Sequence, residues 1–261
     1  MIDIDPRQQK VAALEEEGRH AEALALLQEL YAETEAEPAP DRTRYFMTMF
    51  QWGLLTQHYP PACSALATVR DEQAARLLAG DLYAGTEGSK DGNEQPWERV
   101  SRYSLIIEMN STLGEPHATR DLFLQLEAAQ PELAQRYAWQ ALPAIVEAGD
   151  FSLADRYRKE PLEQLVSVNE NARSMPLFPP PGQAPRLVGD LSNLVKDVHL
   201  GAAVLDGLGR QAEASALRQA LLAGLQDEAL RALAQRELDE PGTIIREFVA
   251  RQMEQEDMAR G

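Results

Sequence analysis

Cysteine occurs once, histidine four times and lysine four times in 261 residues. A single cysteine, Cys63, excludes an intramolecular disulfide and a thiolate metal cluster. Its neighbours Ala62, Ser64, Ala65 and Leu66 read as the start of a helix, where a buried, inert thiol is expected. No apolar run approaches the roughly 20 residues that a bilayer-spanning helix needs. The opening Met-Ile-Asp-Ile-Asp-Pro places acids where a secretory signal needs a basic start and then an apolar stretch. A cytoplasmic location is therefore expected. Strand-like alternation is missing as well, and almost every segment repeats at helical period.

Acids are what the chain has in excess. Forty-two Asp and Glu stand against 25 Lys and Arg, for a formal net charge of −17. Such a surface repels nucleic-acid phosphates and anionic membranes, and it attracts basic partners quickly. The basic residues are mostly arginine and are interspersed with acids along helices, as surface ion-pair ladders are.

Val11 and Leu14 share one face of a first helix that Gly18 ends, and Ala23, Leu24, Leu27, Leu30 and Tyr31 form the stripe of a second. Residues 42–57 hold Tyr45, Phe46, Met47, Met49, Phe50, Trp52, Leu54 and Leu55. A helix apolar on most sides predicts a central, buried element. Pro60 and Pro61 open a helix reaching about residue 84, and 85–96 is turn-rich loop. Val100, Tyr103, Ile107 and Leu113 resume the helical pattern. Helices follow with Leu122, Phe123 and Leu126, then with Leu133, Tyr137, Leu142, Ile145 and Val146. Helix continues over 151–168 with a bend near Pro161. The proline-rich run 175–185 cannot be helical and reads as a stiff connector, despite a P-x-x-P spacing. Leu187, Leu191, Leu194, Val198, Ala202 and Leu205 mark the next helix, and two more, divided near Pro241 and Gly242, finish the chain.

Two distant segments repeat one another. The fifteen residues from Gly18 align without gaps with the fifteen from Gly209, and ten are identical. In both, glycine can take the left-handed cap that ends a helix, and a small alanine five residues on (Ala23, Ala214) lets the returning helix pack closely. This pattern resembles the turn and second helix of a tetratricopeptide repeat. Gly149 with Phe151 and Ala154 fits it too, and Gly114 precedes Gly149 by 35 residues, close to the family period. His20 and Gln211 stand where the family has an aromatic, and the spacing between units is irregular. In size, acidity and degenerate repeats the chain is also similar to the cytoplasmic immunity proteins of Gram-negative bacteria that neutralise type VI secretion effectors, nucleases among them.

The chain holds two loose matches to motifs for catalysis, and neither has the context its chemistry needs. Gly207-Leu-Gly-Arg-Gln-Ala212 matches the loose dinucleotide pattern G-x-G-x-x-A, but the residues before it lie on a helical stripe, whereas cradling a pyrophosphate needs a strand there. Glu17 and His20 have the E-x-x-H spacing of carboxylate-bridged metal centres, but in one copy, with Gly18 interrupting the helix. His58, His117 and His199 belong to no metal or catalytic pattern, and no P-loop, H-E-x-x-H or G-x-S-x-G occurs.

The expected fold is therefore all-α: antiparallel helical hairpins stacked in an irregular tetratricopeptide-like array. Its regions are a hairpin region over 1–170, a connector over 171–185 and a C-terminal helical region over 186–261. The expected function is protein binding without catalysis, cofactor or metal. The immunity-protein resemblance implies occlusion of a folded basic toxin, and the repeat resemblance implies, alternatively, an adaptor or chaperone holding a helix or peptide. Acidic contacts are expected from Glu15, Glu16 and Glu17, and from Glu87, Asp91 and Glu94 in the 85–96 loop.

Overall fold

Helix starts and glycine corners set the architecture. The computed structural model describes residues 5–40, 42–86 and 99–260, and these hold thirteen α-helices and no strand, only an isolated bridge between Tyr83 and Ser101. The fold is all-α. By contacts the chain divides into two units, Met1–Ala144 and Ile145–Gly261. The division falls inside a helix, ahead of the proline-rich run.

The first unit contains α1 (Pro6–Glu16), α2 (His20–Ala36), α3 (Arg42–Thr56), α4 (Pro60–Leu78), α5 (Arg102–Leu113), α6 (Pro116–Ala129) and most of α7 (Pro131–Glu147). Proline at the first position opens α1, α4, α6 and α7, where its missing N–H costs nothing. The odd helices run side by side and parallel. Gln8 Nε2 on α1 donates to Thr48 Oγ1 on α3 at 3.2 Å, Gly53 on α3 lies against Thr112 on α5, and Ser104 Oγ on α5 donates to Gln140 Oε1 on α7 at 3.0 Å. Tyr103 and Tyr137 stack at 4.3 Å beside that last bond. Helices α2 and α4 each pack on the odd helix before and the odd helix after them. The core between the layers holds Leu27, Trp52, Leu55, Leu66 and Met109, and the Trp52 indole donates to the Ala62 carbonyl at 3.1 Å.

After α4 the chain does not stay helical to residue 84 as the pattern suggested. It turns at Gly80 and is tied down by a buried polar cluster. Arg102 is fully buried and donates to Gln73, to the Asp81 carbonyl at 3.0 Å, and to the carboxylates of Asp81 at 3.0 Å and Glu35 at 3.3 Å. Arg76 pairs with the same two acids, and Glu35 also accepts from the Tyr45 hydroxyl. Two guanidinium groups and two carboxylates thus neutralise one another while joining α2, α4, α5 and the 81–86 segment.

The second unit is built on α10 (Arg186–Gly207), whose Leu187, Leu191, Leu194, Val198 and Ala202 are buried. Around it lie α8 (Phe151–Tyr157), α9 (Leu165–Ala172), α11 (Gln211–Gly224), α12 (Glu228–Asp239) and α13 (Thr243–Arg260). The break between α8 and α9 brackets Pro161. Three helices, not two, follow Gly209. The extra break comes at Leu225, and Asp227 caps α12 by accepting from the Leu230 N–H at 3.0 Å. Asn169 bridges that break, donating to the Gly224 carbonyl and accepting from the Gln226 N–H, each at 2.9 Å. The proline-rich run is packed down: Arg251 covers the Phe178 ring at 4.4 Å, and Gln252 donates to the Pro179 carbonyl at 2.7 Å.

The repeated corners have the same construction. Gly18 and Gly209 have φ of 71° and 76°. The next N–H closes back on the preceding helix in both, Arg19 to Leu14 and Arg210 to Leu205, each at 2.8 Å. Each arginine then grips the glutamate three residues on, Glu22 or Glu213. Ala23 and Ala214 are fully buried beneath.

Candidate functional site

Helices α3 and α5 each have an odd-numbered neighbour on both flanks and even-numbered helices beneath, which leaves one strip of each open, and α1 and α7 continue that strip on either side. At about 100° per residue, that strip carries Gln9, Ala12 and Glu16 on α1, Phe46, Phe50 and Leu54 on α3, Glu108 and Ser111 on α5, and Arg136, Trp139 and Pro143 on α7. On each helix the strip lies the same way round from the flank that meets its odd neighbour, so the strips share one face.

The apolar part of this face is concentrated on α3. Phe46 and Phe50 are 60% and 52% exposed and stack on one another at 6.2 Å, and Leu54 continues the ridge one turn on. Trp139 on α7 is 65% exposed. The expectation that α3 would be buried all round is corrected here. Tyr45, Met49, Trp52 and Leu55 point into the core, and α1 and α5 cover the flanks. No described element covers the fourth side. Isolated exposed apolar residues are ordinary, whereas an aromatic pair extended by leucine at i, i+4 and i+8 is a continuous surface feature.

Glu108 lies on the same face one turn before Thr112, at the level of Phe50 across the parallel α3–α5 pair. It makes no ion pair or hydrogen bond with any described residue. Glu108 is exposed, and the side chains packed around its base raise its carboxyl above the ordinary glutamate range by partial desolvation.

The acids expected from the sequence are dispersed. Glu16 is exposed on the open face. Glu17 is exposed but paired with Arg19 at 2.8 Å. Glu15 turns inward beside His20 and His58, whose rings meet edge to face at 4.7 Å; burial raises its carboxyl and the two imidazoles oppose that. Glu87, Asp91 and Glu94 lie outside the described residues. Phe46, Phe50, Trp139 and Glu108 were not anticipated as a surface. The available signal was an excess: α3 carries more apolar residues than one buried face can use.

Other candidates carry less. Among the described residues, no group of three or more His, Cys, Asp or Glu could hold a metal ion, and no helix is long and apolar enough to cross a membrane. Cys63 is half-buried, its thiol 3.5 Å from the Thr56 carbonyl. The first glycine of the G-x-G-x-x-A match lies inside α10, where the Phe151 ring fills the place of a side chain. That glycine is a packing residue. A shallow cleft between α4, α5 and α6 includes Arg70, whose guanidinium is engaged by Asn110 and Glu115. A scan against protein-family models finds no match, and neither the curated proteins nor the solved structures contain a significant match.

Proposed function

We propose that this chain is a protein-binding module whose open odd-helix face takes an apolar, basic segment of a partner protein. The observation that carries this reading is the exposed Phe46–Phe50–Leu54 ridge. Aromatic side chains contribute large contact area at low entropic cost, and binding surfaces are enriched in them. The net charge of −17 favours a basic partner and speeds its approach. The ridge supports an adaptor or chaperone that holds a segment in a groove. The acidity supports the other member of this class, an inhibitor that occludes a folded basic toxin as immunity proteins do.

A photoreactive phenylalanine at position 50 tests the face, with one at Ala128 on α6 as control. The expected result is a dominant adduct with one basic protein from position 50 and none from position 128. The purified partner should then lose affinity for a Phe46→Ser/Phe50→Ser variant. Unchanged affinity would refute the reading. Growth rescue on co-expression would identify the partner as a toxin, and binding of an isolated partner peptide would identify an adaptor.

A further inference from the structure

The face has one acid with a distinct position. Glu108 sits midway between the α3 ridge and the α7 strip, since Ser104, one turn earlier, meets Gln140 on α7, and Thr112, one turn later, meets Gly53 on α3. Neighbouring packed helices lie about 8–10 Å apart, so Phe50 and Trp139 stand about two such spacings apart with Glu108 between them. The cations of this face among the described residues are engaged or distant. Arg42 donates to the Arg99 carbonyl at 3.2 Å, Arg44 pairs with Glu37, and Arg136, one turn before Gln140 on α7, lies about two turns, roughly 11 Å, along the axis from the level of Glu108. An exposed carboxylate between two apolar patches, with no cation paired to it among the described residues, is open to a cation brought in by a ligand.

We infer that Glu108 is the specificity determinant of this face, pairing with a lysine or arginine of the bound segment while apolar residues on either side of that cation rest on Phe46–Phe50 and on Trp139. The inference rests on the proposed binding function and adds the ligand's pattern to it. One helix spacing is spanned by about three extended residues at about 3.3 Å each. The matching segment is therefore apolar, basic, apolar, with about two residues between successive anchors when extended.

A random linear-peptide display library selected against the full chain provides the probe, and enriched sequences are then synthesised and measured by fluorescence anisotropy. The expected outcome is a consensus with one Lys or Arg between two apolar positions. Its affinity should fall about tenfold or more in Glu108→Gln, equivalent to about 1.4 kcal/mol, and should recover in Glu108→Lys when the peptide cation becomes glutamate. Glu108→Gln is close in shape, and a melting temperature no lower than that of wild type shows that loss of folding is not the cause. Peptides that require Phe46 and Phe50 but bind Glu108→Gln as tightly as wild type overturn the inference and leave the binding face standing. Peptides indifferent to both overturn the face itself.

Discussion

Replacing Arg102 with methionine probes the least intuitive element of the first unit, a fully buried cation. Methionine keeps the unbranched stem and removes the guanidinium. Removing one partner of a buried pair costs about 3–5 kcal/mol, because the remaining charge is left without compensation. Here Glu35 is 11% exposed and Asp81 24%, and Arg76 still reaches both, which moves the cost toward the lower end. Opposing this, the Asp81 and Tyr83 carbonyls each lose a donor, at about 1 kcal/mol apiece if nothing replaces it. The expected loss is thus about 3–5 kcal/mol, a large part of the roughly 5–15 kcal/mol that separates folded from unfolded domains. Urea titration followed through tryptophan fluorescence measures it, since Trp52 lies fully buried in the same unit. Glu35→Gln alone should also destabilise. The double variant should cost less than the sum, by about 1–3 kcal/mol, because each single change strands the other's charge. A loss under about 1 kcal/mol for Arg102→Met, or simple additivity with Glu35→Gln, would refute the reasoning that these groups depend on one another.

Phe46→Ser/Phe50→Ser should leave urea stability within about 0.5 kcal/mol per site of wild type, as both rings are mainly exposed. Gly207→Ala should destabilise the second unit by about 1–3 kcal/mol through overpacking, because the new methyl would lie 2.3 Å from the Phe151 ring, and Phe151→Ala should relieve part of that strain. Glu108→Gln should melt above wild type at neutral pH and level with it in acid. The folded protein holds the Glu108 carboxyl above its unfolded value, so it binds the proton more tightly than the unfolded chain, and this destabilising contribution is present at neutral pH and fades as pH falls through the folded value.

The helical hairpins were readable because their signals are local. Gly18, Gly114, Gly149 and Gly209 each end a helix with positive φ, and prolines 60 and 131 each begin one. The duplicated Gly-Arg-x-x-Glu corner could be aligned by eye. The break at Leu225 was missed because no glycine or proline marks it; its signals are the Asp227 cap and the distant Asn169, and only the first is local. The cluster around Arg102 was illegible for a related reason. Its members lie on three helices and a turn, and nothing in their spacing distinguishes them from surface ion pairs. The open strip was harder still. Periodicity says which residues would gain from burial, and it reads Phe50 and Met49 alike. Which of them is covered depends on how many neighbours a helix acquires.

That arrangement of neighbours also governs where the first unit yields. Each hairpin leans on the adjoining one, and among the described residues α1 packs chiefly on α2 and α3, so it is expected to open before the more enclosed α3 and α5. The ridge stands on α3, with the firmly anchored α5 on one flank and the more lightly held α1 on the other. A molecule seated across α1 and α3 would therefore report its arrival away from the aromatic rings themselves, as slowed amide exchange in the first helix.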